Sequence, residues 1–352
     1  MFFRGTYFHN FRNLISERRE WTLGFNLITG PNGAGKTNFL EGLNLISGWG
    51  PFERSAKISN LARWTRDGER SSASLWGGVD GEERCEIFAS LSIRCQLRCD
   101  DKIAGATEMR GRVPVLSFLS DHMSLMKGGA YHRRQLLDRV GALISPSYAR
   151  RLYDYKHALR QKTALLRRYC DTRIVDKLLV SLGSWIWMTR EEIAKLIWSE
   201  LDFFVNLLAV PMDFSFERGG GGLEKNPRDD FKRSLLMKRD REKASKIPLV
   251  GPQRDDLKFF CDGIDASMSL SRGQSRRAAS ALMLASARLV ERCLGRKPVL
   301  IFDEISSELD ESGRGAILDS LLATECQVFA TTTEPMEYSG LNTYKMQDGR
   351  FV

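Results

Sequence analysis

The spacing of hydrophobic residues along this chain changes several times, and each change predicts a different kind of structure. Residues 25–29, "FNLIT", are a short apolar run that reads as a buried strand. After a glycine-rich turn, "TNFLEGLNLIS" places Phe39, Leu40, Leu43 and Ile46 at helical spacing. From 70 to 118 apolar and polar positions alternate, broken by Gly and Asp as in "SLWGGVDGEERCEIF", which predicts antiparallel strands joined by turns. From about 131 the period lengthens. Tyr148, Leu152, Tyr155, Leu159, Leu166 and Tyr169 form one helical series, and Leu178, Leu182, Trp185, Ile193, Leu196 and Leu201 form a second. The polar break "CDTR" between them predicts a helical hairpin. Gly219–Gly222 reads as a flexible interruption, followed by a weakly apolar, mixed-charge segment to about 246. Beyond Pro248 the helical run "AASALMLASARLVERCLG" and the apolar runs "KPVLIF" and "CQVFATTT" predict parallel strands covered on both faces.

The pattern implies an α/β domain assembled from both chain ends, residues 1–125 and 248–352, with a mainly helical domain inserted over 126–247. A chain of 352 residues, 42% hydrophobic, can bury cores of that size. The 53 Lys+Arg against 44 Asp+Glu give a formal charge of +9, which permits a polyanionic partner without requiring one. Seven scattered cysteines read as reduced thiols of a cytosolic protein, with no zinc-like spacing. The first residues, "MFFRGTYFHNFRN", do not look like a signal peptide, and no apolar run approaches the ~18 residues of a membrane span. The expectation is a soluble cytoplasmic protein with no membrane partner.

Candidate chemistry begins at "GPNGAGKT", Gly30–Thr37, which fits G-x-x-x-x-G-K-[ST]. Gly30, Gly33 and Gly35, with Pro31, Asn32 and Ala34 between them, let the backbone wrap phosphates at a helix N-terminus. Lys36 is placed to reach the β- and γ-phosphates, Thr37 to bind Mg²⁺, and Asn38 follows them. The alternative is a glycine-rich turn with an incidental lysine, but the motif sits between a predicted strand and a predicted helix as the mechanism demands. The strand "VLIF" ends in Asp303 and Glu304. In P-loop enzymes an acid there holds Mg²⁺, and a neighbouring acid can polarise the attacking water. Asp303 is the metal candidate and Glu304 the general-base candidate. The plainer reading is an acidic turn that caps the helix of "ELDESGRGAILDSLL".

"LSRGQSRR", residues 270–277, opens a helix with two serines, a glycine and three arginines. The order "GPNGAGKT", insertion, "LSRGQSRR", "VLIFDE", "SSELD" resembles ABC-type ATPases. That resemblance implies that Ser271, Arg272, Gly273 and Gln274 form the signature that binds the γ-phosphate of ATP held by a second subunit. It makes "SSELD", with Ser307 and Asp310, the D-loop. Transporter ATPases usually carry a second glycine where Arg272 stands and a switch histidine where Thr331 and Thr332 stand, which weighs against a transporter subunit. A transporter subunit and a DNA-binding protein with an inactive P-loop are the rival readings. DNA-dependent ATP hydrolysis distinguishes both.

"NFRN", "LMKGGAYHRRQLLDR", "YKHALRQKTALLR", "GPQRDDL", "SRGQSRR", "FDEISSELD" and "QVFATTT" together resemble the RecF family of bacterial recombination mediators, relatives of the SMC proteins, across nearly the whole chain. The family usually has His at Gln253, Pro-Glu near Ser120-Asp121, and commonly two aspartates at Asp303-Glu304. The resemblance implies Arg12 and Asn13 beside the nucleotide phosphates and Arg54 as a further phosphate contact. It also implies ATP and Mg²⁺ as cofactors, an ATP-dependent homodimer, gapped DNA as ligand, and RecO, RecR and a RecA-like recombinase as partners in repair, replication and the SOS response. Residues 131–170 hold ten Lys/Arg and two acids. Arg150, Arg151, Arg160 and Arg167 are the candidate DNA contacts, reading backbone charge and shape rather than bases. Tyr148 and Tyr155 are expected in the hairpin core.

Overall fold

The computed structural model describes all residues except Arg54, 64–71, 82–83, 120–123 and Glu308. The chain divides into two compact units, Met1–Asp121 with Ala287–Val352, and His122–Ser286.

The first unit is built on two sheets. In chain order its strands are β1 (Phe2–His9), β2 (Arg18–Glu20), β3 (Phe25–Thr29), β4 (Ala73–Asp80), β5 (Cys85–Leu91), β6 (Cys95–Cys99), β7 (Lys102–Ala104) and β8 (Val115–Phe118). Strands β9 (Asp213–Glu217), β10 (Asp256–Cys261) and β11 (Ile264–Asp265) lie in the second unit, and β12 (Val299–Phe302), β13 (Val328–Thr332), β14 (Leu341–Gln347) and β15 (Arg350–Phe351) complete the first. One sheet runs β2-β1-β4-β5-β6-β7 and is antiparallel throughout; the other runs β15-β14-β3-β13-β12-β8 and is parallel except at β15. Helices α1 (Lys36–Ile46), α2 (Ala106–Arg112) and α10 (Glu311–Ala323) belong to this unit. β8 differs from the antiparallel expectation for 70–118. Its four residues are all buried and pair with β12, whereas β4 and β5 alternate as half-buried strands do.

β3, from the first thirty residues, lies between β13 and β14, from the last thirty, so both chain ends build one sheet. Trp21 stands at the centre of an aromatic cluster with Phe39, Phe329, Tyr344 and Phe351, ring centroids 4.9–5.3 Å away, and its indole N–H donates to Thr6 at 2.8 Å. The Gln327 side chain accepts from the Phe3 N–H and donates to the Phe3 carbonyl, both at 2.8 Å, tying the two sheets together.

The second unit contains α3 (Ser124–Lys127), α4 (Ala130–Ile144), α5 (Pro146–Arg167), α6 (Arg173–Glu200), α7 (Pro227–Ser245), α8 (Ala266–Ser269) and most of α9 (Arg272–Leu294). Its three-stranded sheet is ordered β11 (Ile264–Asp265), β10 (Asp256–Cys261), β9 (Asp213–Glu217). α5 and α6 form the expected hairpin, with Tyr148 and Tyr155 buried. Tyr169 departs from the helical series: it lies past α5 at φ 57° and is exposed. Among the described residues no helix is long and apolar enough to cross a membrane.

The division between units falls within α9, near 286, and not at 247 as the sequence pattern suggested. The reason is a set of bonds from 251–261 back to the helices. Arg190, on α6, donates to Asp255 and Asp138 at 2.8 Å and to the Pro252 carbonyl; Trp187 donates to Asp255 at 2.6 Å; and β10 pairs with β9. Burial opposes the Arg190 charge, but Asp138, Tyr148 and Asp255 outweigh it and raise its pKa. Burial pushes the Asp255 carboxyl up, against the pull of Arg190, Gly219 and Trp187. Gly219–Gly222 is likewise not a loose interruption. The Gly219 N–H donates to Asp255 at 2.8 Å, its carbonyl accepts from Gly251 at 2.7 Å, and a Cβ there would collide with the Gly251 carbonyl.

Candidate nucleotide and catalytic site

The glycine-rich turn leaves β3 and enters α1 at Lys36. Gly35 takes φ 108°, and no side chain caps the helix; its first turn holds no acid. The N-terminal N–H groups of α1 are therefore left with a positive potential suited to an anion. Gly30 needs its missing side chain, since a Cβ would strike the Met346 carbonyl. The turn is braced from behind. The Gly349 N–H donates to the Ala34 carbonyl at 2.9 Å, the Asn13 amide to the Gly33 carbonyl at 2.9 Å, and Asn38 to the Asn13 Oδ1 at 2.8 Å. Pro31, Asn32 and Gly33 remain exposed at the surface of the loop.

Lys36 is buried and folds over its own loop, donating to the carbonyls of Gly30 at 2.7 Å and Pro31 at 3.1 Å, with Glu304 Oε1 at 3.7 Å. Thr37 faces Asp303, its hydroxyl 3.1 Å from each carboxylate oxygen. Hydroxyl and carboxylate are hard oxygen donors, and with phosphate oxygens they form a set that suits Mg²⁺. Asp303 is 5% exposed and Glu304, at φ 54°, presents a partly exposed carboxylate.

The acids are held by the strand beside them. Thr331 is fully buried; its hydroxyl donates to Asp303 Oδ1 at 2.7 Å and accepts the Glu304 N–H at 2.9 Å. The Thr332 hydroxyl lies 2.7 Å from that of Ser306. Capping of the next helix falls to Asp310, which accepts the Gly313 N–H at 2.9 Å, so Asp303 and Glu304 are not the cap. Ser307 lies in the turn between them, its N–H 3.3 Å from the Glu304 carbonyl.

Arg12, at φ 52°, makes a two-pronged ion pair with Glu41 of α1, at 2.9 and 3.2 Å. Glu41 is 2% exposed and also accepts the Phe52 N–H at 3.0 Å. No motif marks Glu41 in the sequence; its one signal is an acid among the buried positions of an amphipathic helix. Arg54 and Ser120-Asp121 lie outside the described residues.

The remaining candidates belong to the second unit. Ser271 precedes α9: its hydroxyl accepts the Gln274 N–H at 3.2 Å, and the Gln274 side chain accepts the Ser271 N–H at 2.8 Å. This reciprocal pair is a capping box, which explains Ser271 and Gln274 locally. It leaves the serine proton available to a phosphate. Arg272 and Gly273 sit at the first two positions of the helix. Gln253 accepts from the Tyr155 hydroxyl and donates to the Val250 carbonyl at 2.9 Å.

On α5, Arg150, Arg160 and Arg167 are exposed and fall with Lys156 and Arg168 within about a third of the helix circumference. Arg151 lies on another flank, its guanidinium 4.3 Å from the centre of the Trp185 ring. Two of the ten basic residues of 131–170 are buried. Arg133 is paired with Asp256 at 2.7 Å, and Lys162, 1% exposed, lies between Glu242 at 2.6 Å and Asp176 at 2.9 Å.

The sequence and the fold are similar to those of known proteins. Residues 4–346 match the model for the RecF/RecN/SMC N-terminal domain. The sequence is 31% identical over 343 residues to the DNA replication and repair protein RecF of Moorella thermoacetica, covering 92% of this chain and 88% of that one. The chain belongs to the RecF family.

It is also 29% identical to the RecF protein of Halothermothrix orenii, over 99% of this chain and 98% of that protein. The fold is similar to a solved structure of the recombination mediator protein RecF-ATPrS in the RecFOR pathway, with TM-score 0.88 and 25% identity over 99% of this chain and 97% of the other. The likeness extends to an Smc head domain at 14% identity and TM-score 0.55, which speaks to fold alone. The fold is thus that of a P-loop ATPase head formed by both chain ends with helical insertions, and such a fold implies nucleotide binding and ATPase activity in general.

Proposed function

We propose that this protein is an ATP-dependent DNA-binding protein of recombinational repair. The observation that carries this reading is the convergence of Lys36, Thr37, Asp303, Glu304 and Thr331 at one helix N-terminus in a member of the RecF family. An inactive P-loop would have no need of that convergence.

The chain's residues divide the work. The loop N–H groups and the start of α1 receive the phosphates. Lys36 exchanges its bonds to the Gly30 and Pro31 carbonyls for phosphate oxygens. Thr37 and Asp303 hold Mg²⁺, which when bound neutralises phosphate charge. Glu304 orients water at the γ-phosphate and accepts its proton. Thr331 fixes both acids by bonding the Asp303 carboxylate and the Glu304 N–H together. Asn13 and Asn38 keep the loop open to its ligand.

Ser271–Gln274 complete the site of a second copy, so ATP joins two chains and hydrolysis, slow because it waits on assembly, releases them. The Arg150, Arg160 and Arg167 flank of α5 tracks DNA phosphates at single-strand/double-strand junctions. In this role the dimer assists recombinase loading on gapped DNA with RecO and RecR. The test is Glu304→Gln, which should bind ATP and accumulate as a dimer. A variant that stays monomeric by light scattering at saturating ATP and Mg²⁺ overturns the two-site model.

A further inference from the structure

The antiparallel sheet of the first unit buries one face and turns the other to water, and the water-facing side is unusual. Strand register sets six of its residues in one line across the strands. Arg18 of β2 pairs with Tyr7 of β1, Tyr7 with Trp76 of β4, Trp76 with Phe88 of β5, Phe88 with Arg98 of β6, and Arg98 in turn with Ile103 of β7. The neighbouring positions Phe8, Leu75, Ile87 and Leu97 are buried, so these three rings are not the ones that fill the core. The Arg18 guanidinium lies 4.7 Å from the centre of the Trp76 ring.

The lines on either side differ, one holding acids paired with Arg4 and the other small and neutral polar residues. One runs Glu20, Gly5, Gly78, Glu86, with Asp100 bonded to Glu86 through its carboxylate at 2.8 Å. The other runs His9, Ser74, Ser90, Gln96, and the segments just beyond it hold exposed Arg63 and Arg94. A depression of about 350 Å³ lined by Trp76, Glu86, Phe88, Arg98, Asp100 and Asp101 opens on this face.

Cross-strand aromatic pairing stabilises sheets and would explain two adjacent rings. It does not explain three rings in line on a water-facing surface with an arginine on either flank of them. Flat rings on adjacent strands roughly 4.7–4.9 Å apart offer stacking surfaces to consecutive bases, as sheets that bind single strands do. We propose that the line Arg18–Tyr7–Trp76–Phe88–Arg98 is a stacking platform for single-stranded nucleic acid, separate from the α5 flank and independent of ATP. Phosphates lie toward the His9–Ser74–Ser90–Gln96 side, where Arg63 and Arg94 stand. Base edges meet the other side, where Glu86 holds the Trp76 indole N–H at 3.2 Å and pairs with Arg4 at 3.6 Å, and where the Asp100 carboxylate can accept from amino groups.

The test uses the full chain without nucleotide and a fluorescein-labelled oligomer of twelve deoxycytidines, read by anisotropy at low salt. Trp76→Ala and Phe88→Ala should each weaken binding by about tenfold. Arg98→Glu, a change at an exposed position, should weaken it as well and keeps the test open if a ring variant misfolds. An abasic oligomer of equal length and charge should bind far more weakly than the deoxycytidine oligomer. In a chain carrying Arg150→Glu, Arg160→Glu and Arg167→Glu, Trp76→Ala should still lower the affinity, which separates this platform from the α5 surface. Equal binding of the abasic oligomer, or unchanged affinity in both Trp76→Ala and Arg98→Glu, overturns the proposal.

Discussion

Thr331→Val tests the candidate site most directly, because it keeps shape and volume and removes one hydroxyl. That hydroxyl donates to the Asp303 carboxylate at 2.7 Å and accepts the Glu304 N–H at 2.9 Å, in a position with no solvent access. A hydrogen bond to a charged group contributes about 1.5–3 kcal/mol, and a buried N–H left without a partner costs about 1–3 kcal/mol. Asp303 keeps Thr37 as a partner, which offsets part of the loss. The net destabilisation should be roughly 2–4 kcal/mol, or about 4–15 °C in Tm for a unit of 150–250 residues. Chemistry should suffer separately. With the strut gone, the two carboxylates are free to shift by a fraction of an ångström to one ångström, and misplacement on that scale can lower turnover by about 10²-fold. The assays are differential scanning fluorimetry and steady-state ATP hydrolysis across a Mg²⁺ titration. Thr331→Ser restores the hydroxyl and should recover most of both. If Thr331→Val matches the unmodified protein in Tm and in Mg²⁺ dependence, the strut does not position the acids.

Three further changes separate neighbouring explanations. Ser271→Asp keeps a good helix cap, unlike Ser271→Ala, which should lower stability by about 1 kcal/mol; the added charge should abolish the ATP-dependent dimer in sedimentation while Tm holds. Replacing Arg150, Arg160 and Arg167 with Glu should flatten the salt dependence of junction-DNA affinity by up to about 3 in log–log slope, with ATP affinity unchanged. Arg190→Leu leaves Asp138 and Asp255 without their shared cation and should destabilise the second unit by about 3–5 kcal/mol in thermal melts; adding Asp255→Asn should recover part of it.

The parts of the site that are contiguous in the chain are legible from their residues alone. "GPNGAGKT", "VLIFDE" and "ATTT" each contain both a structural period and the chemistry attached to it. Glu41 is not legible in this way, since a lone acid in a helix gives no sign of its partner. Arg12 comes from a loop about thirty residues away and turns that acid into an anchor. Lys162 and Arg133 count as surface charge in the sequence. Only packing shows them turned inward, each against acids of another element.

By itself the sequence determined the P-loop strand and helix, the α5–α6 hairpin, the order of the motifs and the membership of both chain ends in one α/β fold. Those properties follow from local periodicity and from residues a few positions apart. Tertiary structure decided where the helical unit ends, because bonds from Arg190 and Trp187 draw 252–255 toward α6. It decided that Gly219, Gly220 and Gly221 pack tightly instead of hinging, because the carbonyl that crowds Gly219 comes from Gly251. It also aligned Tyr7, Trp76 and Phe88, which are separated by up to about eighty residues, on one solvent-facing line. Strand register depends on long-range pairing, and no single stretch of sequence contains it.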